Sequence, residues 1–186
     1  MPTVPVDKAD LFERLGKQYT TDEFDRLCFE YGLELDEDTT EDVEAAIKNG
    51  LPAERPQLKI EVPANRYDLL CIEGISRALG VFLERQEAPQ YKLVYPPGGE
   101  QNLITMNIHP ETQRVRPLIA CAILRNIGFT PRSYKSFIDL QDKLNQNIGR
   151  RRWVAAIGTH DLDTIEGPFR FEARDPEKIK FRALGK

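Results

Sequence analysis

The stretch Leu58-Lys59-Ile60-Glu61-Val62-Pro63-Ala64-Asn65-Arg66-Tyr67-Asp68-Leu69-Leu70-Cys71-Ile72-Glu73-Gly74 decides how the first half of the chain folds. Leu58, Ile60 and Val62 alternate with charged residues at the two-residue period of a strand with one buried face. Pro63 fixes the exit from that strand. Beyond it, Leu69, Ile72, Ile75, Leu79 and Phe82 recur at helical spacing, which predicts a helix starting near Asp68. Asn65 or Asp68 is placed to cap that helix, and Arg66 to pair with Asp68 or to reach a partner. Strand, loop and helix make one compact unit.

On the N-terminal side, Leu11, Phe12 and Leu15 predict a short helix within Val6–Leu15, stopped by Gly16 as a left-handed cap. A second helix is expected over Asp22–Tyr31, capped by Thr21, with Phe24, Leu27, Cys28 and Tyr31 inward and Gly32 ending it. Residues 36–55 are acid-rich with a weak apolar pattern at Val43, Ala46 and Ile47, which reads as a mobile insertion with one or two helical turns.

On the C-terminal side, Ala88-Pro89-Gln90-Tyr91 and Tyr95-Pro96-Pro97-Gly98-Gly99 read as a linker. Leu103–Ile108 and Pro117–Ile127 then read as strands, Thr130-Pro131 as the start of a helix running to about Ile148, Trp153–Ile157 as a short buried strand and Phe169–Ala173 as another. The expected fold class is therefore α+β in two small units: a helix-strand-helix domain over residues 1–88 and, past a linker at 89–101, a sheet-plus-helix unit over 102–186. One helix covers one face of a sheet, so the second unit is expected to be incomplete and the chain a segment of something longer.

Composition narrows the function classes. The 186 residues are 40% hydrophobic and 30% charged, with 13 Pro and 12 Gly dispersed, which excludes a disordered, collagenous or repeat chain. No apolar run approaches the roughly 20 residues of a membrane span, and the start lacks the pattern of a signal peptide, so a cytoplasmic protein with no membrane partner is expected. Cys28, Cys71 and Cys121 are widely spaced among apolar neighbours, the pattern of buried reduced thiols. The net charge of −4 hides an asymmetry: the first 89 residues carry 20 acidic and 10 basic side chains, the rest 10 acidic and 16 basic. Only the second half suits a phosphate backbone, and its excess is equally that of a solvated surface.

Two segments carry candidate chemistry. On the long helix, Tyr134, Phe137, Ile138, Gln141, Leu144 and Ile148 share a face, and the amide of Gln141 on that apolar stripe either ties down backbone or faces a polar ligand. After it comes Arg150-Arg151-Arg152-Trp153-Val154-Ala155-Ala156-Ile157-Gly158-Thr159-His160-Asp161. Arginines at a helix end complement its dipole, and they also suit phosphates; His160 and Asp161 are placed to orient a water or hydroxyl. There is no GxxxxGK loop, CxxC pair or HExxH, and two histidines are too few for a histidine-rich metal site.

Val62–Gly74 and Ala156-Ile157-Gly158-Thr159-His160-Asp161-Leu162-Asp163 resemble the beta subunit of cytosolic phenylalanine–tRNA ligase, archaeal and eukaryotic type. The resemblance extends from Met1-Pro2-Thr3-Val4 and Leu27–Leu35 through Phe137–Leu144 to the end of the chain. It implies an N-terminal beta-subunit domain followed by the opening part of a tRNA-editing domain, which in the family hydrolyses tyrosine wrongly attached to the tRNA. It further implies an alpha-subunit partner in a heterotetramer of two alpha and two beta chains, the tRNA for phenylalanine as substrate, and ATP and magnesium in the complete enzyme, neither of these two cofactors bound by this segment. The segment by itself is expected not to aminoacylate and to hold no catalytic residue. The resemblance raises Gln141, Arg151 and Arg152, with His160 and Asp161, to candidates for an editing pocket, and Arg150 and Arg151 to candidates for RNA contact. The rival expectation is a non-catalytic module that binds RNA or a partner chain through its basic half.

Overall fold

The computed structural model describes residues 2–182, and the last four residues of the expected second unit lie outside the described residues. Helices and strands are mixed, as an α+β chain requires. The chain divides into two compact units: Met1–Gln90 with Phe129–Ile157, and Tyr91–Gly128 with Gly158–Lys186.

In the first unit, β1 (Thr3–Asp7), β3 (Gln57–Glu61) and β2 (Glu34–Asp38) form an antiparallel sheet in the order β1-β3-β2. The alternation that starts at Leu58 is realised: Leu58 and Ile60 are buried, as are Val4 and Val6 on the neighbouring strand. Pro5 faces outward on an edge strand, where its missing N–H breaks no ladder. Against the apolar face pack α1 (Lys8–Leu15), α2 (Thr21–Tyr31) and α4 (Ile72–Phe82), contributing Leu11, Phe12, Leu15, Phe24, Leu27, Cys28, Ile75 and Leu79 to one core. Gly16 and Gly32 close α1 and α2 in the left-handed conformation, as expected. Thr20, one residue before the expected cap, closes the N-terminus of α2 in a reciprocal pair with Glu23.

The acid-rich stretch is built into this unit rather than inserted between its elements. It supplies the second half of β2 and α3 (Thr40–Lys48). Leu35 pairs with Ile60, and a bulge between Leu35 and Glu37 shifts the register so that Glu37 stands opposite Lys59 and Asp38 opposite Leu58. The structural centre here is Asp38, whose side chain is only 7% exposed. It accepts from Lys8 Nζ at 2.6 Å, from Thr21 Oγ1 at 2.7 Å and from both the N–H and hydroxyl of Thr40, joining α1, α2, β2 and α3.

The loop before α4 forms a single short 3₁₀ turn over Tyr67–Leu69, so the helix begins four residues later than its apolar spacing implied. Arg66 lies against Asp68 through Nε and Nη2 at 2.9 and 2.7 Å and also donates to the Tyr31 hydroxyl at 2.9 Å. Its partner is therefore intramolecular. Gly74 is required at this corner, because a Cβ there would stand 1.8 Å from the Asp68 carbonyl oxygen.

The long helix, α5 (Pro131–Gln146), is capped by Thr130 as expected, and it joins the first unit instead of standing with the segments around it in sequence. Arg132 reaches Asp10 at 2.8 Å, Ser136 donates to Glu73 at 2.6 Å, and Leu140 and Leu144 pack on the core. The docked stripe is thus Ser136, Leu140 and Leu144, whereas Tyr134 and Ile148 are exposed.

In the second unit, β4 (Met106–Ile108) pairs in parallel with β5 (Phe169–Phe171), Met106 opposite Phe169 and Ile108 opposite Phe171. Residues 117–127, expected as a strand, have no ladder, and Leu118 is 89% exposed. A strand without a partner leaves its amide groups to water, so apolar alternation alone does not form one. No helix among the described residues is long and apolar enough to cross a membrane. Of the three free cysteines Cys28 is buried, Cys71 half-buried and Cys121, contrary to the expectation of burial, exposed on that unpaired segment.

Candidate functional site

The C-terminal end of α5 gathers four of the six candidate residues, Gln141, Arg150, Arg151 and Arg152. A helix leaves its last four carbonyls without intrahelical donors. Here Lys143 O accepts from Asn147 N, Leu144 O from Gly149 N at 3.0 Å, Asn145 O from Arg152 N at 3.1 Å and Gln146 O from Arg151 N at 3.3 Å. All four are satisfied because the chain reverses over the helix end.

That reversal is left-handed. Arg150, Arg151 and Arg152 have φ of 45°, 57° and 66°, and Trp153 N closes the turn onto Arg150 O at 3.1 Å. Each non-glycine residue in this region costs roughly 1–2 kcal/mol. Gly149 makes the approach possible, since a Cβ would lie 2.6 Å from Ala155 O and 2.8 Å from Asn145 O. The turn therefore sets three strained residues against two carbonyls, those of Asn145 and Gln146, that the Arg152 and Arg151 amides cap.

Side chains divide the arginines. Arg152 Nη2 holds Asp142 Oδ1 at 2.9 Å. Arg150 and Arg151 are exposed and make no ion pair among the described residues. Trp153, expected at the start of a buried strand, is 80% exposed in the same turn. Beneath it Asn145 is 1% exposed; its Oδ1 accepts from Ile157 N at 2.9 Å while Nδ2 has no partner among the described residues. Gln141 is half-buried one turn earlier on α5. Nearby, burial holds the Lys143 ammonium below the ordinary lysine range, opposed by Asp139 and Cys71.

His160 and Asp161 belong to the second unit. His160 is exposed, and Asp161 caps a 3₁₀ turn at Leu162–Thr164, its Oδ1 accepting from Asp163 N at 3.0 Å. Asn145, Asp142 and Trp153 were not singled out in the sequence for these roles. The legible signal was an Asn on the inner side of a helix end, followed four residues later by Gly.

Reactive groups elsewhere are poorly suited to catalysis. Burial, reinforced by Asp25, pushes the Cys28 thiol up to about 12, and burial also raises Cys71. Thiols held protonated in this way are weak nucleophiles. Among the described residues no three His, Cys, Asp or Glu side chains gather so as to hold a metal ion.

Residues 1–85 match the family model described as the Phe-tRNA synthetase beta subunit B1 domain. Over 99% of its length the chain is 52% identical to the phenylalanine–tRNA ligase beta subunit of Schizosaccharomyces pombe and 53% identical to that of Saccharomyces cerevisiae, covering 29% of each. The human beta subunit is 53% identical over all of this chain, which covers 32% of it. Among solved structures, the crystal structure of an N-terminal fragment of the phenylalanyl-tRNA synthetase beta subunit from Pyrococcus horikoshii matches with a TM-score of 0.80 at 26% identity, covering 99% of this chain and 48% of that one. The chain spans less than a third of the length of these curated relatives. Its sequence along its whole length, and its fold, place it in the N-terminal region of the phenylalanine–tRNA ligase beta-subunit family, to which it belongs.

Proposed function

We propose that the chain acts as the N-terminal part of a cytoplasmic beta subunit that, together with an alpha subunit in a two-alpha, two-beta assembly, attaches phenylalanine to its tRNA. In this reading ATP and magnesium act in parts of the enzyme other than these residues, and the segment alone does not aminoacylate. The observation that carries the reading is the contrast between the two units. The first closes a core of sixteen buried apolar residues. The second pairs two three-residue strands and leaves Leu93, Val94, Leu118, Leu124 and Phe181 exposed. Apolar surface of this kind is what further chain or a partner subunit covers. A self-sufficient binding module would have no such surface.

The same reading makes the second unit the opening part of an editing domain that hydrolyses tyrosyl-tRNA. Its candidate pocket residues are Gln141, Arg151 and Arg152 in the first unit and His160 and Asp161 in the second. Selection of tyrosine over phenylalanine by its hydroxyl needs buried polar groups held in place. The exposed His160 and Asp161 acquire that setting only inside the completed domain.

The test is a chimera in which this chain replaces the corresponding N-terminal third of the Saccharomyces cerevisiae beta subunit, purified with its alpha subunit. Phenylalanylation of tRNA at near-native rate, with tyrosyl-tRNA cleared and that clearance lost on Gln141→Ala, supports the reading. A chimera that assembles with the alpha subunit but neither charges nor clears tRNA refutes it. The isolated chain should release tyrosine from tyrosyl-tRNA no faster than buffer does.

A further inference from the structure

We infer that the cleft between the C-terminal ends of α1 and α4 binds a free α-amino acid, its carboxylate held by Arg85 and its ammonium group by Ser76 and Gln86. This goes beyond the proposed function and does not rest on it.

The cleft lies wholly within the first unit and measures about 270 Å³. That is just under the roughly 300–1,000 Å³ of pockets for drug-sized ligands, so its occupant is small. Small residues leave the space: Ser76 and Gly80 stand one turn apart on α4, both buried, and Gly16 adds the end of α1. The rest of the wall comes from a chain reversal after α4. Glu84 holds φ of 54° and Arg85 N bonds to Gly80 O at 2.9 Å, which carries Arg85 and Gln86 back to the cleft. A Cβ on Gly80 would stand 2.8 Å from Gln86 Nε2, so the cleft depends on that glycine.

The charges here are unusual for this half of the chain, where acidic side chains outnumber basic ones by 20 to 10. Its cations mostly find a carboxylate, as Lys8, Arg14, Lys17, Arg55, Lys59 and Arg66 do. Arg85 has none among the described residues. Its Nη1 donates to the Leu15 carbonyl, and the remaining N–H groups of the fork have no acceptor among the described residues. Arg14, across the cleft mouth, is already balanced by Glu73 at 3.1 Å.

Neutral acceptors complete the site. Ser76 Oγ donates to Glu73 O at 3.3 Å and Gln86 Nε2 to Arg77 O at 2.8 Å, which leaves Ser76 Oγ and Gln86 Oε1 able to accept. Two helices also end here, and their negative partial charge favours a cation. Phosphate would meet those helix ends, and a simple amine would meet the guanidinium of Arg85. A zwitterion suits both. Its carboxylate matches the planar fork of Arg85, and an ammonium group one carbon away reaches the two acceptors.

The test follows the amide signals of Gly16, Gly80 and Gln86 in the isotopically labelled chain. L-alanine, L-leucine and L-phenylalanine are each titrated in, and at least one should move those signals saturably. Acetate, methylammonium and inorganic phosphate, each carrying half of the chemistry or the wrong charge, should bind at least about tenfold more weakly. Arg85→Lys keeps the charge and a donor for the Leu15 carbonyl but loses the fork, and should weaken binding at least about tenfold. Ser76→Ala removes one acceptor from a helix that alanine favours, so it keeps the fold and should weaken binding by a similar factor.

Absence of a saturable shift with all three amino acids overturns the inference. So does phosphate or acetate binding as tightly as the amino acids, which would leave a plain anion site. Unchanged affinity in Arg85→Lys or in Ser76→Ala overturns it as well, because the ligand would then sit elsewhere.

Discussion

Arg151 and Gly149 sit two residues apart and carry opposite expectations for stability. Glycine adopts φ near 57° without the Cβ penalty but loses more freedom on folding, so Arg151→Gly should raise the unfolding free energy by a net ~0.5–1 kcal/mol in urea titration. Gly149→Ala forces a methyl group onto two carbonyl oxygens and should cost about 1–3 kcal/mol. Little of this was legible in advance. Arginine carries no left-handed signal, so three in a row read as a charge cluster, and their amides bond to carbonyls three to seven residues back. Gln141, Arg150, Arg151 and Arg152 were readable as a group because helix and cluster are contiguous in sequence. The roles of Asn145 and Trp153 were not, because burial of one and exposure of the other depend on how the chain turns.

Among elements, the helices announced themselves through their ends and the strands did not. Gly16, Gly32 and Thr130 are local stop and start signals whose chemistry does not depend on the rest of the fold. By contrast β2 and α3 hide under their acids, since an edge strand needs only Leu35 inward and α3 buries no residue fully. What anchors them is Asp38. Burial pushes its carboxyl up, but hydrogen bonds from Lys8, Thr40 and Thr21 outweigh burial and hold it at about 2. A folded-state value below the unfolded one gives stability that is fully present above the unfolded range near pH 4 and is lost as pH falls towards 2. The loss should be about 2 kcal/mol between pH 5 and pH 2. Asp38→Asn should abolish that part of the pH dependence, read by urea titration across the range. The docking of α5 makes a separate prediction. Leu140→Ala and Leu144→Ala each remove packing at a half-buried site and should cost about 1–3 kcal/mol, with earlier amide exchange along the helix.

At the scale of the whole molecule, local period was readable and pairing was not. The alternation from Leu58 to Val62 found partners on both sides, whereas the equally apolar run at 117–127 found none. Hydrogen exchange should separate the two: amides of β3 should be protected to nearly the global unfolding free energy, those of residues 117–128 hardly at all. The sheet order has one more outcome, in time rather than in energy. Thr3–Asp7 finds its ladder only on Gln57–Glu61, with Glu34–Asp38 on the far side. During synthesis Val4 and Val6 therefore wait in the open until the sixty-first residue has left the ribosome, several seconds at roughly 5–20 residues per second. Both β1 and β2 are thus made before the strand each pairs with, so the sheet has no two-stranded precursor and commits as a whole when β3 emerges.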